Sequence, residues 1–481
     1  MVLGTTSGAG KSWLTTALCR YYARQGLKVA PFKAQNMSNN ARVVGTGEIG
    51  SAQYFQALAA RTKPEVRMNP LLLKPERDTH SQVVLLGQVS AELTGMDWRS
   101  RSARVWPVVA QALDELRAEY DVVVIEGAGS PAEINLSGSD IVNMRVARHA
   151  DARCLLVTDI DRGGAFAHLY GTWALLPLED RALLHGFVLN KFRGDAALLA
   201  PAPQMLQDLT GVPTVATLPM WWQHGLPEED GVFDDRSRAS GTVTRTVAVI
   251  AYPRISNLDE FQPLKNVPGV RLVWARSPAE LAGLGRADWV ILPGSKHTSG
   301  DLAWLRHQGL DAAITAHAAR GGAVLGICGG LQMLGEALID LHGIDGNAPG
   351  LGLLPLVTQF ELQKTVQHRQ TRFVEGMTGP WAALAGVAVA GYEIHHGQTQ
   401  QHVAMAQGCD VALAVMPDGL AWQNAAGNVL GLYLHGLLED PAALQALFGA
   451  TVPTLDAVFD GLADYVGAHF QPGVLDALVR R

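Results

Sequence analysis

The fold is decided by one stretch of the chain, Gly-Ile-Cys-Gly-Gly-Leu-Gln-Met at residues 326–333. A short apolar run precedes it from residue 323, and apolar residues with helical spacing follow its glycines. This pattern predicts a buried strand, a sharp turn and a helix, with Cys328 on the turn. Gly326 and Gly330 suit such a turn because tightly bent backbone leaves no room for side chains.

A cysteine on this turn is presented for attack. The following helix directs backbone N–H groups at the sulfur, which favours the thiolate. A buried, inert cysteine between packing glycines is the alternative. An apolar run at residues 429–434 predicts a strand that ends at His435. A histidine alone more often makes an ordinary structural hydrogen bond, but paired with this turn it is the expected base, so we predict Cys328 as nucleophile and His435 as its base.

A second glycine-rich turn lies at residues 4–12, Gly-Thr-Thr-Ser-Gly-Ala-Gly-Lys-Ser, between a short apolar segment and an amphipathic one. Five residues separate its outer glycines, one more than in the common phosphate loop. Backbone N–H groups of such a turn still wrap phosphate oxygens, the lysine reaches the outer phosphates and the serine ligates magnesium. The predicted ATP-binding residues of this loop are Gly4, Thr5, Gly10, Lys11 and Ser12.

Three polar residues near predicted strands are further candidates. Glu126 ends an apolar run at residues 122–125, so it is either a magnesium ligand or a loop carboxylate in water. Glu48 is a weaker metal candidate, for which the solvated alternative is favoured. Asn190 follows an apolar run at residues 186–189 and is either a ligand for the purine edge of ATP or a turn-forming residue.

Composition excludes several classes of protein. The 481 residues suffice for two or three domains, and four cysteines without a close pair argue against a disulfide framework. We therefore expect a reduced, cytoplasmic protein. A net charge of -7 with dispersed Lys and Arg predicts no nucleic-acid partner, and no apolar stretch has membrane-spanning length.

A polar stretch marks the expected domain boundary. It separates two regions in which predicted strands alternate with helices. We predict an α/β protein with two doubly wound domains, at residues 1–230 and 246–481, and a linker at 231–245. A nucleotide-binding half joined to a cysteine-hydrolase half predicts a glutamine-dependent amide ligase. Its hydrolase half releases ammonia from glutamine, and its ATP-binding half activates the carboxylate that accepts this ammonia.

Beyond these motifs, the chain resembles the cobyric acid synthase family, the glutamine-hydrolysing enzymes of cobalamin biosynthesis, over nearly its whole length. Further segments that carry the resemblance are Pro-Phe-Lys-Ala-Gln-Asn-Met-Ser-Asn-Asn (31–40), Met-Asn-Pro (68–70), Glu-Gly-Ala-Gly-Ser-Pro-Ala-Glu (126–133), Asp-Ile-Asp-Arg-Gly-Gly (159–164), Pro-Arg-Ile-Ser-Asn (253–257) and Gly-Tyr-Glu-Ile-His (391–395).

The resemblance implies an ATP- and Mg2+-dependent reaction. It amidates four peripheral carboxylates (b, d, e and g) of adenosylcobyrinic acid a,c-diamide to adenosylcobyric acid, with glutamine as nitrogen donor. The N-terminal half is similar to dethiobiotin synthetase, a P-loop NTPase-like fold, and the C-terminal half to class I glutamine amidotransferases. This implies a small-molecule corrinoid partner and no separate glutaminase subunit. By the same likeness Gly294 and Gly329 supply the oxyanion contacts, and Glu126 binds metal.

The chain departs from these relatives at three positions. Gly8 stands where many family members have an acidic residue, and Trp13 where a small or β-branched residue is commoner. Leu437 stands two residues after the histidine, where class I amidotransferases usually have a glutamate. The resemblance therefore implies a Cys328–His435 dyad whose imidazole is oriented by some other group.

Other functions remain as alternatives. Cobyrinic acid a,c-diamide synthase shares both modules but amidates two other carboxylates, and segments 35–37 and 255–257 favour the four-amide enzyme. A nucleotide-switch protein would have no use for Cys328, and a hydrolase with a regulatory nucleotide domain would form no amide. The adjacent His395 and His396 predict a substrate-side or packing role rather than a shared metal. The adjacent tryptophans at 221–222 predict a hydrophobic patch rather than a surface that stacks on a ligand.

Overall fold

The computed structural model describes residues 1–77, 79–222, 224–227, 242–450 and 452–480. The elements before the predicted linker are β1 Val2–Gly4, α1 Lys11–Arg24, β2 Val29–Phe32, β3 Gln35–Met37, β4 Ala41–Val44, β5 Gly47–Gly50, α2 Ser51–Ala59, β6 Leu71–Arg77, β7 His80–Leu85, β8 Gln88–Val89, α3 Ala91–Thr94, α4 Trp98–Glu119, β9 Val122–Ile125, α5 Met144–Ala150, β10 Cys154–Asp159, α6 Ala165–Leu175, α7 Leu178–Arg181, β11 Leu184–Phe192, α8 Ala202–Thr210 and β12 Thr214–Pro219.

The elements after it are β13 Arg245–Ile250, β14 Ile255–Ser256, β15 Val270–Ala275, α9 Pro278–Leu281, β16 Trp289–Leu292, β17 Gly294–Ser295, α10 Thr298–His307, α11 Leu310–Ala319, β18 Ala323–Ile327, α12 Gly329–Leu334, β19 Ala337–Asp340, β20 Ala348–Pro349, β21 Leu356–Arg372, β22 Ala388–Gln401, α13 Val403–Gln407, β23 Leu413–Ala414, β24 Ala421–Gln423, β25 Val429–Leu432, α14 Pro441–Phe448, α15 Leu455–His469 and α16 Val474–Val479. A 3-10 helix of nine residues spans Leu258–Asn266.

The N-terminal half is built on a parallel sheet. Its strands run β1-β10-β11-β12, and the parallel pair β2-β9 joins them where Val2 bridges Glu126. These strands are apolar and mostly buried, as expected for a sheet covered by helices on both faces. The phosphate loop follows β1, so it lies at the same edge as the carboxyl ends of β9, β10 and β11.

The C-terminal half has a seven-stranded sheet in the order β15-β13-β16-β18-β25-β24-β23, of which the first five strands are parallel. β18 and β25 are neighbours in register, with Ile327 opposite Leu432. The turn with Cys328 and the loop with His435 therefore leave adjacent strands at one edge. The prediction of two doubly wound α/β domains is confirmed.

The last two helices pack against the N-terminal half. Phe459 and Val466 of α15 belong to the same buried apolar cluster as Leu14 of α1, and the Tyr22 hydroxyl donates to the Leu475 carbonyl at 2.8 Å. This packing differs from the predicted assignment of the whole segment 246–481 to one domain, because residues 455–479 complete the core of the other half. Residues 231–241 of the predicted linker lie outside the described part of the chain, and its last residue, Arg245, begins β13.

Two hairpins connect the halves. The hairpin β4–β5 of the N-terminal half contacts the long antiparallel hairpin β21–β22, where the His368 ring bonds the Val43 carbonyl at 2.9 Å. Nearby, the Ala41 amide donates to the Asn257 side chain at 2.9 Å. Across all helices that the structure describes, no segment is long and apolar enough to cross a membrane.

Two candidate active sites in one chain

Cys328 occupies a strained turn between β18 and α12. Its backbone has a positive φ of 53° with ψ −106°, a combination that residues with side chains rarely adopt, and it occupies the N-cap position of α12. The flanking glycines are needed for packing: a Cβ on Gly330 would lie 1.8 Å from the Leu292 carbonyl oxygen, and one on Gly326 would lie 2.5 Å from a Leu334 methyl group. The structure therefore has the strand, turn and helix that the sequence predicts.

The turn brings the predicted nucleophile and base together. Cys328 and His435 are buried and line the same cavity, where the Cys328 thiol donates to the Ile394 carbonyl at 3.6 Å. The predicted oxyanion residues lie beside them, because a Cβ on Gly329 would be 2.8 Å from the Ser295 nitrogen, and one on Gly294 would be 3.0 Å from the His435 ring. These contacts fit attack by the thiol at an amide carbon, although the oxyanion roles stay predictions.

The sequence interpretation missed one neighbour of the histidine. Nδ1 of His435 lies 3.1 Å from Oε1 of Glu260, and both side chains are almost completely buried. Glu260 follows the motif at residues 253–257 by three positions, in the 3-10 helix Leu258–Asn266. The sequence offered one signal for this residue: a carboxylate in the region that follows β13. The carboxyl end of β13 lies at the same sheet edge as the carboxyl ends of β18 and β25.

Both halves of the chain line the cavity beside Cys328. It measures about 80 Å³, and its N-terminal contributions come from the strands β6 and β7 and the segment before β4, namely Asn39, Lys74, Glu76 and Gln82. The carboxylate of Glu76 accepts from the Lys296 ammonium group at 2.7 Å, across the boundary between the halves. The candidate glutamine pocket is therefore composite.

The phosphate loop lies in a larger cavity, of about 310 Å³, that also contains Lys11 and Ser12. Gly10 caps α1 with φ 100°, a conformation that favours glycine. The Thr5 hydroxyl contacts that of Thr158 at 3.0 Å, which ties the loop to β10. Gly8, one of the departures from the family, has φ +71°, so an acidic side chain at that position would be strained.

The predicted metal ligands Ser12 and Glu126 are in direct contact. The Ser12 hydroxyl donates to Oε1 of Glu126 at 2.7 Å, and Lys33 and Gln56 donate to the same carboxylate at 2.8 and 2.6 Å. Burial raises the pKa of Glu126, but the Lys33 charge and these hydrogen bonds lower it overall. A hydroxyl and an ionised carboxylate beside a phosphate loop are ligands that Mg2+ accepts together with nucleotide phosphates, so the pair fits this ion.

Glu48 is not part of that pair. Its two carboxylate oxygens accept from Lys74 at 2.9 Å and from Lys364 of β21 at 2.6 Å. Burial raises the pKa of Glu48, but these two lysines lower it well below its usual range. The buried Glu48 carboxylate thus neutralises lysines at the interface between the halves, so the favoured alternative of a solvated carboxylate is wrong. These contacts give no support to the metal role predicted for Glu48. Among the residues that the structure describes, no cluster of three or more His, Cys, Asp or Glu is arranged around a metal position.

Asn190 holds the phosphate loop. Its side-chain amide donates to the Ala9 carbonyl at 2.9 Å, and its side-chain oxygen accepts from the Lys191 amide at 2.9 Å. One donor and one acceptor of the amide are thus used by backbone, and the contact of Asn190 with the purine edge of ATP stays a prediction. It still lines the cavity of the phosphate loop.

The structure also shows the contacts of the paired tryptophans and the paired histidines. Trp221 and Trp222 line the phosphate-loop cavity, and Trp221 stacks on Tyr465 of α15 with 4.8 Å between ring centroids. His395 bonds Glu393 at 3.0 Å and the Gly397 carbonyl at 2.8 Å, whereas His396 bonds the Glu361 carbonyl at 3.0 Å. The two histidines therefore share no partner in these contacts, as predicted from their alternation on a strand.

Two family models match the chain. Residues 1–226 match the CobQ/CobB/MinD/ParA nucleotide binding domain, and residues 246–443 match the CobB/CobQ-like glutamine amidotransferase domain. The nucleotide-binding module and the glutaminase module are thus present in one polypeptide.

Similar proteins cover the chain from end to end. A cobyric acid synthase from Polaromonas naphthalenivorans (strain CJ2) is 80% identical over 100% of this chain and 99% of its own length. Another from Variovorax paradoxus (strain S110) is 81% identical over 100% of this chain and 98% of its own length. A solved glutamine amidotransferase structure, 19% identical, covers 45% of this chain and 98% of its own, with a TM-score of 0.31. The identity of 80% and 81% to two cobyric acid synthases, over the whole of this chain, shows that the chain belongs to the cobyric acid synthase family.

Proposed function

We propose that this protein uses ATP and glutamine to amidate four peripheral carboxylates, b, d, e and g, of adenosylcobyrinic acid a,c-diamide. The observation that carries this function is the presence of two sites in one chain: a phosphate loop with Ser12 against Glu126, and a Cys328–His435 pair on adjacent strand ends. Relatives 80% and 81% identical that are named cobyric acid synthase support the corrinoid as acceptor. The a,c-diamide synthase alternative is not favoured.

The nitrogen comes from glutamine in the C-terminal half. His435 takes the thiol proton, and the Cys328 sulfur attacks the side-chain amide carbon, forming a tetrahedral intermediate. His435 returns the proton to the departing nitrogen, so ammonia leaves and a thioester remains. Water then hydrolyses the thioester to release glutamate and restore the thiol. Backbone N–H groups near Gly329 and Gly294 are proposed to stabilise the oxyanion.

The acceptor is activated in the N-terminal half. A corrinoid carboxylate attacks the terminal phosphate of ATP, and ADP leaves. Ammonia then attacks the acyl phosphate, so that inorganic phosphate leaves with one ammonia proton and the amide forms. Lys11, whose ammonium group now donates to the Thr6 carbonyl at 3.0 Å, is placed in the loop to balance charge on the transferring phosphoryl group. We propose Ser12 and Glu126 as protein ligands of Mg2+, which supplies further charge neutralisation at the phosphates when bound.

The cysteines favour a reducing compartment. All four are unpaired, and three of them are buried. We propose a cytoplasmic location from this usage, because structural disulfides are typical of oxidising compartments.

Mass spectrometry of the corrinoid product tests the function. Purified protein is supplied with ATP, magnesium, glutamine and the a,c-diamide acceptor. The expected product carries four carboxamide groups at positions where the acceptor has carboxyl groups. No new amide on this acceptor, together with two new amides when cobyrinic acid is supplied in its place, would favour the a,c-diamide synthase. Glutamate release without any corrinoid product would favour a free-standing hydrolase.

A further inference from the structure

We propose that Glu260 is the positioning residue of the glutaminase site, holding the His435 imidazole so that it exchanges a proton with Cys328. This inference rests on the proposed function of Cys328 and His435. It assigns the orienting role to a segment remote in sequence from the histidine loop, whose own position 437 is a buried leucine.

Glu260 is fixed at both carboxylate oxygens. Oε1 lies 3.1 Å from Nδ1 of His435, and Oε2 accepts from the backbone N–H of Gly436 at 3.1 Å. The same carboxylate thus holds the imidazole and the backbone that carries the imidazole. Glu260 is 0% exposed and His435 is 1% exposed, so water does not compete for these contacts.

This geometry selects one tautomer of the histidine. Because Nδ1 bonds an acceptor-only carboxylate, Nδ1 carries the hydrogen and Nε2 presents its lone pair to the thiol. When Nε2 takes the Cys328 proton, the carboxylate also stabilises the imidazolium that forms. Burial lowers the pKa of His435, but the charges of Glu260 and Cys328 raise it to about 10.

Two other carboxylates near the histidine form ion pairs with an arginine. Glu439, four residues after His435, accepts from both terminal nitrogens of Arg42 at 2.5 and 2.6 Å. Asp259, which is also almost completely buried, pairs with Arg42 as well. The Tyr392 ring stacks on His435 with 5.3 Å between centroids and offers no charge. Among the carboxylates of the described residues, only that of Glu260 lies within hydrogen-bond distance of the His435 ring.

The test compares Glu260→Gln and Glu260→Asp with the wild type. Gln keeps the size of the side chain but presents a neutral amide, which supports the productive tautomer poorly. We expect Glu260→Gln to lower kcat of glutamine hydrolysis by about 10²-fold or more, with a small change in KM. Glu260→Asp keeps the charge and should restore part of kcat. Amidation driven by added ammonia should stay near the wild-type rate, which also shows that the variants fold.

Two readouts separate positioning from packing. The basic limb of the pH profile for glutamine hydrolysis should move to lower pH in Glu260→Gln because the imidazolium loses its carboxylate. The rise with pH of Cys328 alkylation by iodoacetamide should move to higher pH, because the thiolate then has a less stable cationic partner. Glu393→Gln, which alters the buried carboxylate on His395 in the same cavity wall, is the matched control and should leave that limb in place.

The outcomes distinguish this inference from the proposed function. A wild-type protein without Cys328-dependent glutamine hydrolysis would overturn the proposed function, and the inference with it. A wild type with that activity, together with a Glu260→Gln variant of unchanged kcat and pH profile, would overturn the inference alone. An equal shift of the basic limb in Glu393→Gln would also overturn it, because the effect would then follow from any charge lost in the cavity.

Discussion

The Cys328 thiol and the Lys11 ammonium group lie in different halves of the chain, so single substitutions should separate the two half-reactions. Cys328→Ala removes the nucleophile and should lower glutamine-driven amidation by at least about 10³-fold. Ammonia at high concentration should still support amidation, because the phosphate loop is untouched. Product formation is measured with each nitrogen source in turn.

Lys11→Ala is the matched counterpart in the other half. It should lower amidation by about 10²-fold or more with either nitrogen source, because charge on the transferring phosphoryl group loses a partner. A folded Cys328→Ala variant that fails with ammonia as well would contradict the division of labour, and so would a Lys11→Ala variant of normal rate.

Asp301 gives the C-terminal half a pH-dependent stability. Burial raises the pKa of Asp301 to about 7, although hydrogen bonds from the Ser295 hydroxyl at 2.6 Å and the Arg254 amide at 3.0 Å oppose the shift. Between pH 4 and 7, roughly, the folded chain binds a proton that the unfolded chain does not. Stability should therefore fall as the pH rises through this window.

Asp301→Asn tests this directly, because an amide keeps an acceptor for the backbone and a donor for the Ser295 hydroxyl. The free energy of unfolding is measured by chemical denaturation at several pH values across the window. We expect the variant to lose a part of the slope on the order of one proton. An identical slope in both proteins would show that Asp301 titrates normally in the folded state.

At the scale of elements, sequence patterns predicted the secondary structure of a segment more successfully than they predicted its packing partner. Apolar runs located β18, β25 and the phosphate-loop strand because a strand buried on both faces needs continuous apolar residues. Helical spacing gives α15 an apolar face, but that spacing does not identify the partner, which is α1. Glu260 was missed for the same reason, since its meeting with His435 depends on how two loops end at one sheet edge.

The packing of α15 on α1 leads to a prediction for Phe459. This side chain is 2% exposed and sits in the core of the N-terminal half, where the Arg20 guanidinium lies 6.0 Å from its ring. Phe459→Ala should lower stability by about 3 kcal/mol or more, because it leaves a cavity in a core that the neighbouring helices cannot fill. The measurement is the denaturation midpoint of the nucleotide-binding half.

Asp464→Asn, an exposed change on the same helix, is the control for Phe459→Ala and should leave the midpoint within experimental error. If Phe459→Ala leaves it unchanged too, α15 does not support the N-terminal half in solution. The domain assignment by sequence, residues 246–481, would then describe the molecule better than the packing does.

At the scale of the whole molecule, the halves are joined by charge as well as by hairpins. Arg42 of β4 is fully buried between Asp259 and Glu439 of the C-terminal half, and its guanidinium lies 4.9 Å from the Phe55 ring and 5.1 Å from the Tyr392 ring. Burial lowers the pKa of Arg42, but these carboxylates raise it well above its usual range. The cation therefore stays charged, and both carboxylates depend on it.

Arg42→Met keeps the apolar length of the side chain but leaves the buried carboxylate of Asp259 and the partly buried one of Glu439 without a cation. We expect a loss of about 3 kcal/mol or more in the free energy of unfolding, because the uncompensated charges repel each other and lack solvation. Arg42→Met/Glu439→Gln should recover part of this loss, since it removes one of the two charges. Arg104→Met, which breaks an exposed ion pair with Glu92, is the control and should have no measurable effect. Denaturation of all four proteins at neutral pH measures these differences. Equal stability of Arg42→Met and wild type would mean that the interface between the halves does not depend on this ion pair.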